Sequence, residues 1–137
     1  MSILSTSPWR GTNQVLAVFR ILAALIFVSS GTMVIFRYPH INFPIPPFDP
    51  RTQAGIGSLL QLIGGAAIAL GLFTRPVAFI LSGEMAVAYF QFHAPQSFFP
   101  TVNNGTPAVL YCFFFFYLVF AGPGSWSLDG LIARKRG

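Results

Sequence analysis

Four polar side chains interrupt the apolar runs of this sequence, and any chemistry of the chain is expected to involve them. They are Arg20, Gln61, Glu84 and Gln91. Glu84 is one of only three acidic residues, and it lies inside an apolar run that begins at Pro76. A charge at the centre of a membrane helix costs about 2.5–3.5 kcal/mol on translocon scales, so such residues usually face the protein interior and pair. The pattern indicates a polar site or a polar network between helices.

The depths of the two charged residues predict an ion pair. Arg20 lies seven residues inside the first apolar run, which is about 10 Å at 1.5 Å per residue. Glu84 follows Arg75 by nine residues, which is about 13 Å from the same side. We therefore predict that Arg20 and Glu84 pair, and that removing either one costs about 3–5 kcal/mol.

The neighbours of this pair can be predicted from helical spacing and from the small residues of the second span. On a helix, Gln91 lies about 20° from Glu84, whereas His93 lies about 180° away. Glu84 and His93 are therefore not expected to form an acid–base dyad. Small residues around Gln61 allow close helix approach, so Gln61 is expected to reach the same interior. The four residues either bind a polar head group such as a quinone, relay protons, or hold the helices in register.

Metal, haem and nucleophile chemistry have no candidate residues. His40 and His93 lack ligand spacing with another His, Cys or carboxylate, so we predict no metal site. Cys112 is the single cysteine, which excludes an internal disulfide and a CxxC pair. We name no catalytic residue and expect no intrinsic cofactor.

The composition places these residues in a bilayer. The chain of 137 residues is 54% hydrophobic and only 8% charged, whereas soluble domains carry about 25% charged residues. Apolar runs that predict membrane spans cover about 13–36, 54–73, 76–94 and 107–121. The first run is too long for a signal peptide and lacks an A-x-A-like site. The net charge of +5 forms no basic face with interleaved aromatic residues, so nucleic acid is not an expected partner.

The basic residues predict the orientation of the spans. Five of them fall on the side of the termini, namely Arg10, Arg75, Arg134, Lys135 and Arg136, and two fall on the other side, namely Arg37 and Arg51. By the positive-inside rule both termini are cytoplasmic. We predict an all-α fold, in which residues 1–137 form one integral membrane four-helix bundle.

The connections between spans carry turn and cap signals. Five prolines between Pro39 and Pro50 exclude regular helix from the first loop. Pro76 is expected in the first turn of the third span. The segment 103–105 predicts a turn, and the segment 122–124 ends the fourth span. Either Ser127 or Asp129 is expected to cap a short final helix.

Several motifs together resemble the DoxX family of small four-helix membrane proteins. They are G-L-x-T-R-P at Gly71–Pro76, the segment Ser82–Pro95, the turn Asn103–Gly105, A-V-L-Y at Ala108–Tyr111, G-P-G-S-W-S-L-D at Gly122–Asp129, and Arg20 followed by Gly31. The resemblance covers about residues 15–130. It implies a relationship to proteins that include a subunit of a thiosulfate:quinone oxidoreductase and members linked to quinone detoxification and oxidative-stress defence. The chain departs from the family pattern at Thr106 and Gln61, where acidic residues are common.

Three functional hypotheses follow from the residues and the resemblance. The first is a non-catalytic or quinone-interacting subunit of a membrane redox system, located in a bacterial inner membrane as a multi-pass protein, with quinone as a ligand. Its partners would be membrane lipids and a redox protein or a second copy of the chain. The second is a scaffold or assembly protein without chemistry. The third, a solute transporter, lacks the pair of broken helices that marks a transport site.

Overall fold

The described part of the chain is entirely helical. The structure is a computed structural model that describes residues 10–42 and 44–136. Within those ranges it contains no strand and six α-helices: α1 Thr12–Ile35, α2 Gln53–Leu70, α3 Thr74–Ala88, α4 Pro100–Asn103, α5 Thr106–Ala121 and α6 Leu128–Arg136. A π-helical turn, Tyr89–His93, continues α3. The all-α prediction is confirmed. Helices α1, α2 and α5 differ from the predicted runs by at most three residues at either end, whereas α3 ends at Ala88, six residues before the predicted end, and reaches it to within one residue only with the π-helical turn.

In the part of the chain that the structure describes, two helices are long and apolar enough to cross a membrane, judged by length and composition. They are α1 and α2, while α5 is a shorter apolar helix of 16 residues. α3 and the π-helical turn together form a continuous helical segment from Thr74 to His93. Large apolar side chains such as Phe19, Phe79 and Phe120 are more than half exposed, which suits contact with lipid rather than water.

Local signals explain where the helices begin and end. The hydroxyl of Thr52 accepts a hydrogen bond from the Gly55 N–H at 3.0 Å and caps α2. α2 ends at Gly71, whose positive φ of 69° suits glycine. Pro76 lies in the first turn of α3, as predicted, and α5 ends at Ala121 before Gly122. The Arg75 guanidinium donates to the carbonyls of Val119 and Phe120 at that end.

α1 and α2 approach each other closely at Gly31. A Cβ atom at this position would lie 2.8 Å from the Ser58 carbonyl oxygen and 2.9 Å from the Leu62 nitrogen. Both neighbours are backbone atoms, so they cannot move aside as a flexible side chain could. The absence of a side chain at Gly31 is therefore what allows this helix contact.

The core lies where α1, α2, α3 and α5 meet. Its buried residues are Ala24, Phe27, Ile68, Ala78, Leu81, Met85, Tyr89, Ala108, Phe115 and Leu118. The rings of Phe27 and Phe115 join α1 to α5, with centroids 4.9 Å apart in an edge-to-face arrangement. The Tyr111 hydroxyl donates to the Ala23 carbonyl at 2.8 Å and adds a polar contact between the same two helices.

Candidate functional site

Arg20 is fully buried, and its guanidinium is held by backbone carbonyls. It donates to the carbonyl oxygens of Ala69 at 3.4 Å, Ser125 at 3.1 Å and Trp126 at 3.0 Å, and also to that of Pro123. We call this set of contacts the arginine clamp. It fixes the segment between α5 and α6 against α1 and the end of α2.

The predicted ion pair between Arg20 and Glu84 is wrong. Glu84 receives its hydrogen bond from Gln61, whereas the α2 carbonyl bound by Arg20 belongs to Ala69. These two α2 residues are eight positions apart, which is about 12 Å along the helix. The depth estimate counted residues along each helix and ignored the long Arg20 side chain, which points back toward the start of its helix. The two charges therefore lie at different levels.

Glu84 faces α2 and accepts a hydrogen bond from it through one carboxyl oxygen. Its Oε1 accepts a hydrogen bond from the Gln61 Nε2 at 3.3 Å. A Cβ atom at Gly57 would lie 3.2 Å from the same oxygen, so this glycine leaves the carboxyl group its space. Among the described residues no donor or acceptor reaches the buried Oε2. A buried polar atom of this kind is costly unless a ligand or water satisfies it.

Gln91 pairs with a residue that the sequence pattern did not single out. The Gln53 Nε2 donates to the Gln91 Oε1 and links the start of α2 to the π-helical turn. π-helical turns change the phase of a helix and occur frequently at functional sites. Gln91 and Glu84 thus both hydrogen-bond to side chains of α2, but to different ones, Gln53 and Gln61. The run of polar residues Arg51, Thr52 and Gln53 at the start of α2 is the sequence signal that could have indicated the Gln53–Gln91 contact.

A groove of about 440 Å³ lies between α2 and α3 and contains the carboxyl group. We call it the carboxylate groove. Its lining residues are mostly apolar, and the polar ones are Gln53, Ser58, Gln61 and Glu84. Ile56, Ile80 and Phe92 are about half exposed along its walls, so the groove has an apolar rim around a polar interior. Such a shape fits an amphiphile with a polar head group.

His93 belongs to a separate polar cluster and does not contact Glu84, as predicted. Its Nδ1 lies 3.0 Å from the Asn103 carbonyl oxygen. Asn103 is almost fully buried, and its side chain donates to the Ser97 carbonyl at 2.6 Å and accepts from the Gly105 N–H at 2.8 Å. Asn104 has a positive φ of 60°, which completes the predicted turn. This cluster holds the connection between the π-helical turn and α5.

The final helix is capped by one candidate and tied to α3 by the other. The Ser127 hydroxyl accepts from the Gly130 N–H at 3.0 Å, which makes Ser127 the cap of α6. The Asp129 carboxylate instead accepts from the N–H groups of Phe73 at 2.7 Å and Thr74 at 2.9 Å. Asp129 therefore caps α3 from another part of the chain, near its positive dipole end.

Replacing Asp129 by asparagine should loosen this tie. Asparagine keeps one acceptor oxygen but loses the charge and the second acceptor, so we expect a loss of about 0.5–2 kcal/mol, as for other N-cap changes. Thermal unfolding of the detergent-purified protein measures the effect, with Asp49→Asn in the proline-rich loop as the control. Equal melting temperatures for Asp129→Asn and the parent protein would contradict this role.

No metal centre is found in the ranges that the structure describes. Residues 10–42 and 44–136 contain no group of three or more His, Cys, Asp or Glu side chains that could hold a metal ion. The Cys112 sulfur lies 3.6 Å from the Ser82 hydroxyl, which also donates to the Cys112 carbonyl. The thiol thus has a packing role between α3 and α5.

Comparison with known proteins gives a family match and two relatives. The family model described as DoxX matches residues 15–94. An "Uncharacterized protein" of Haemophilus influenzae is 38% identical over 128 residues, covering 88% of this chain and 92% of its own length. The "Inner membrane protein YqjF" of Escherichia coli is 29% identical over 121 residues, covering 86% of this chain and 92% of its own length. No solved structure matches the chain significantly.

Proposed function

Because the chain belongs to the DoxX family of membrane proteins, we propose that it is a quinone-interacting subunit of a membrane redox system. The ligand would bind in the carboxylate groove between α2 and α3. The protein would lie in a bacterial inner membrane, in keeping with the name of the Escherichia coli relative. It would assemble with a redox protein that carries the electrons.

Four spans and cytoplasmic termini are part of this proposal. α1 and α2 meet the length and composition of a span, and α3 gains the required length from the π-helical turn. α5 has 16 residues, which is short for a span. The residue before it, Gly105, donates its N–H to the Asn103 side chain in the preceding turn. With four crossings, five basic residues lie on the side of the termini and two on the other side, which supports the cytoplasmic assignment.

The buried Oε2 of Glu84, which has no hydrogen-bond partner in the described ranges, is the single observation that carries the ligand proposal. The carboxyl group that bears it lies beside Gln61 in the lining of a groove whose walls are otherwise mainly apolar. A quinone offers two carbonyl acceptors, and a quinol offers two hydroxyl donors. Amide groups can donate to the former and a carboxylate oxygen can accept from the latter, so the groove can bind both forms.

The dimensions of the groove agree with a ring-sized ligand. Ligand sites commonly measure about 300–1,000 Å³, and the groove holds about 440 Å³. Ile80, Val87 and Phe92 line one wall and are about half exposed toward the surroundings of the helices. A quinone ring would lie against this wall, and its isoprenoid tail would leave through the rim into the lipid.

The role proposed for this chain is quinone binding and not electron transfer. Reduction of a quinone to a quinol consumes two electrons and two protons. The partner redox protein would supply the electrons, and Glu84 is the group in the groove that can accept or donate a proton. The chain would therefore position the quinone head group for a reaction whose electrons arrive from outside.

Quinone binding by Glu84 and Gln61 variants tests the proposal. For Glu84→Gln we expect roughly tenfold to hundredfold weaker binding of ubiquinol or menaquinol, because the variant removes a hydrogen bond to a charged group, worth about 1.5–3 kcal/mol. For Gln61→Leu we expect roughly twofold to tenfold weaker binding of ubiquinone or menaquinone, because the variant removes a neutral hydrogen bond, worth about 0.5–1.5 kcal/mol. The measurement is equilibrium binding to the purified protein in lipid nanodiscs.

Phe79→Leu is the matched control, because Phe79 lies on α3 outside the groove and is exposed. If all three variants bind these quinones and quinols as tightly as the parent protein does, or if the parent protein binds none of them, the quinone proposal fails.

The arginine clamp supports a second candidate, a scaffold without chemistry. Within the described part of the chain, the hydrogen bonds of Arg20 all go to backbone carbonyls, and Arg20 lies outside the carboxylate groove, which supports a structural role for one of the two intramembrane charges. A scaffold would show lower stability or lower recovery of a partner protein when Glu84 is replaced, with no quinone binding in the parent protein.

A further inference from the structure

The last helix carries a compact positive surface with an apolar stripe. α6 ends in Arg134, Lys135 and Arg136, and all three are exposed. Leu128, Leu131 and Ile132 fall within an arc of about 100° on the helix. Leu131 and Ile132 are 48% and 39% exposed, so the protein leaves much of this stripe uncovered.

The basic side chains are placed around that stripe. Arg134 and Arg136 flank the apolar arc on its two sides, and Lys135 lies on the arc itself. Long basic side chains can lay their methylene stems along an apolar surface while the charged ends extend outward. The one acidic residue of α6, Asp129, is occupied by the N–H groups of Phe73 and Thr74. The free surface of the helix is therefore positive.

Two exposed aromatic residues stand beside the start of α6. Phe73 and Trp126 are 62% and 64% exposed. Both have positive φ values, 48° and 56°, a conformation that is uncommon for large side chains. Asp129 holds the backbone of Phe73, and the arginine clamp holds the carbonyl of Trp126, so the fold keeps both rings outward. Exposed aromatic rings next to basic residues are typical of a membrane–water interface.

We propose that α6, together with the rings of Phe73 and Trp126, forms an interfacial surface that binds anionic phospholipid head groups. Arg134, Lys135 and Arg136 would contact the phosphates, while Leu131, Ile132 and the two rings would enter the level of the head groups. Charge complementarity favours anionic lipid over zwitterionic lipid, because each basic residue near an anionic surface contributes about 1 kcal/mol. This surface is separate from the carboxylate groove and does not depend on quinone binding.

Lipid-selective quenching of Trp126 tests this surface in the full-length protein. The protein, with Trp9→Phe so that Trp126 is the single tryptophan, is reconstituted into phosphatidylcholine vesicles that contain phosphatidylglycerol. Brominated acyl chains, which quench tryptophan fluorescence, are placed on one of the two lipids at a time. We expect stronger quenching by brominated phosphatidylglycerol than by brominated phosphatidylcholine at equal mole fraction, and a smaller difference at high salt.

Neutralising the basic residues should remove that preference. Each of R134Q, K135Q and R136Q is expected to lower the relative affinity for phosphatidylglycerol by about fivefold, which corresponds to about 1 kcal/mol per charge. R51Q, at the other end of the molecule, is the control and should retain the preference. Equal quenching by both lipids in the parent protein, or an unchanged preference in the triple variant, would overturn the proposal. If α6 instead binds an acidic protein, both lipids should quench Trp126 equally in the parent protein.

Discussion

Replacing Arg20 by methionine is expected to cause one of the two largest losses of stability available to a single substitution in this chain. Methionine keeps much of the apolar volume but leaves the carbonyls of Pro123, Ser125 and Trp126 without their donor. A hydrogen bond from a charged donor contributes about 1.5–3 kcal/mol, so the loss of two or more such bonds brings the expected loss to the order of 3 kcal/mol or above.

Thermal unfolding in detergent, followed by Trp126 fluorescence in the Trp9→Phe background, measures this loss. Arg20→Lys separates charge from geometry, because an ammonium group has no planar fork with which to reach several carbonyls at once. We expect Arg20→Lys to melt between the parent protein and Arg20→Met. Arg51→Met, at an exposed arginine, is the control for losing a positive charge. A melting temperature for Arg20→Met within error of the control would show that the clamp contributes little.

The second large effect is expected at Gly31. Even alanine would place its Cβ 2.8 Å and 2.9 Å from backbone atoms of Ser58 and Leu62, so α1 and α2 must separate. Overpacking of this kind typically costs about 1–3 kcal/mol. Gly31→Leu should exceed that range and prevent recovery of folded protein. The same Cβ would lie 3.3 Å from the Cβ of Gln61, so the displacement also shifts a residue of the carboxylate groove.

Gly83→Ala provides the matched control for Gly31→Ala. Position 83 is helical, and an added Cβ there meets nothing within 4 Å. Alanine is about 1 kcal/mol better than glycine in a helix interior, so this variant should be as stable as the parent protein or more so. We expect Gly31→Ala to lower both the melting temperature and the quinone affinity. Because Gly83 lines the carboxylate groove, Gly83→Ala is the control for the melting temperature, and Phe79→Leu is the control for quinone affinity. If Gly31→Ala and Gly83→Ala melt alike, α1 and α2 are not closely packed at this position.

The sequence predicts the helices well because their signals are local. Long apolar runs, the proline-rich first loop and the Gly122–Gly124 stop mark the ends of α1, α2 and α5 to within three residues. The contact of Gln61 with Glu84 also agrees with the prediction, since the small residues of α2 and the polar face of α3 are both visible in the sequence. Helix phase correctly separates His93 from Glu84.

The partner of Arg20 could not be predicted in the same way. Three of its four acceptors are main-chain carbonyls of residues more than a hundred positions later, and every residue type carries a carbonyl. A pairing rule based on side-chain charge therefore selects Glu84, the nearest acid by depth. The Gln53–Gln91 contact was missed for a related reason, because the π-helical turn changes the phase that a regular helix predicts.

The use of backbone oxygens by Arg20 has a consequence for how this region can vary among related proteins. A carbonyl keeps its position whatever side chain its residue carries, as long as the chain follows the same path. Substitutions at Ser125 and Trp126 that preserve the backbone conformation would therefore leave the arginine clamp intact. A change at Arg20 itself, or a side chain at Gly71, where an added Cβ would lie 2.4 Å from the Ser127 Cβ, would not. The arginine clamp therefore depends on the arginine and the glycine, and not on the side chains of Ser125 and Trp126.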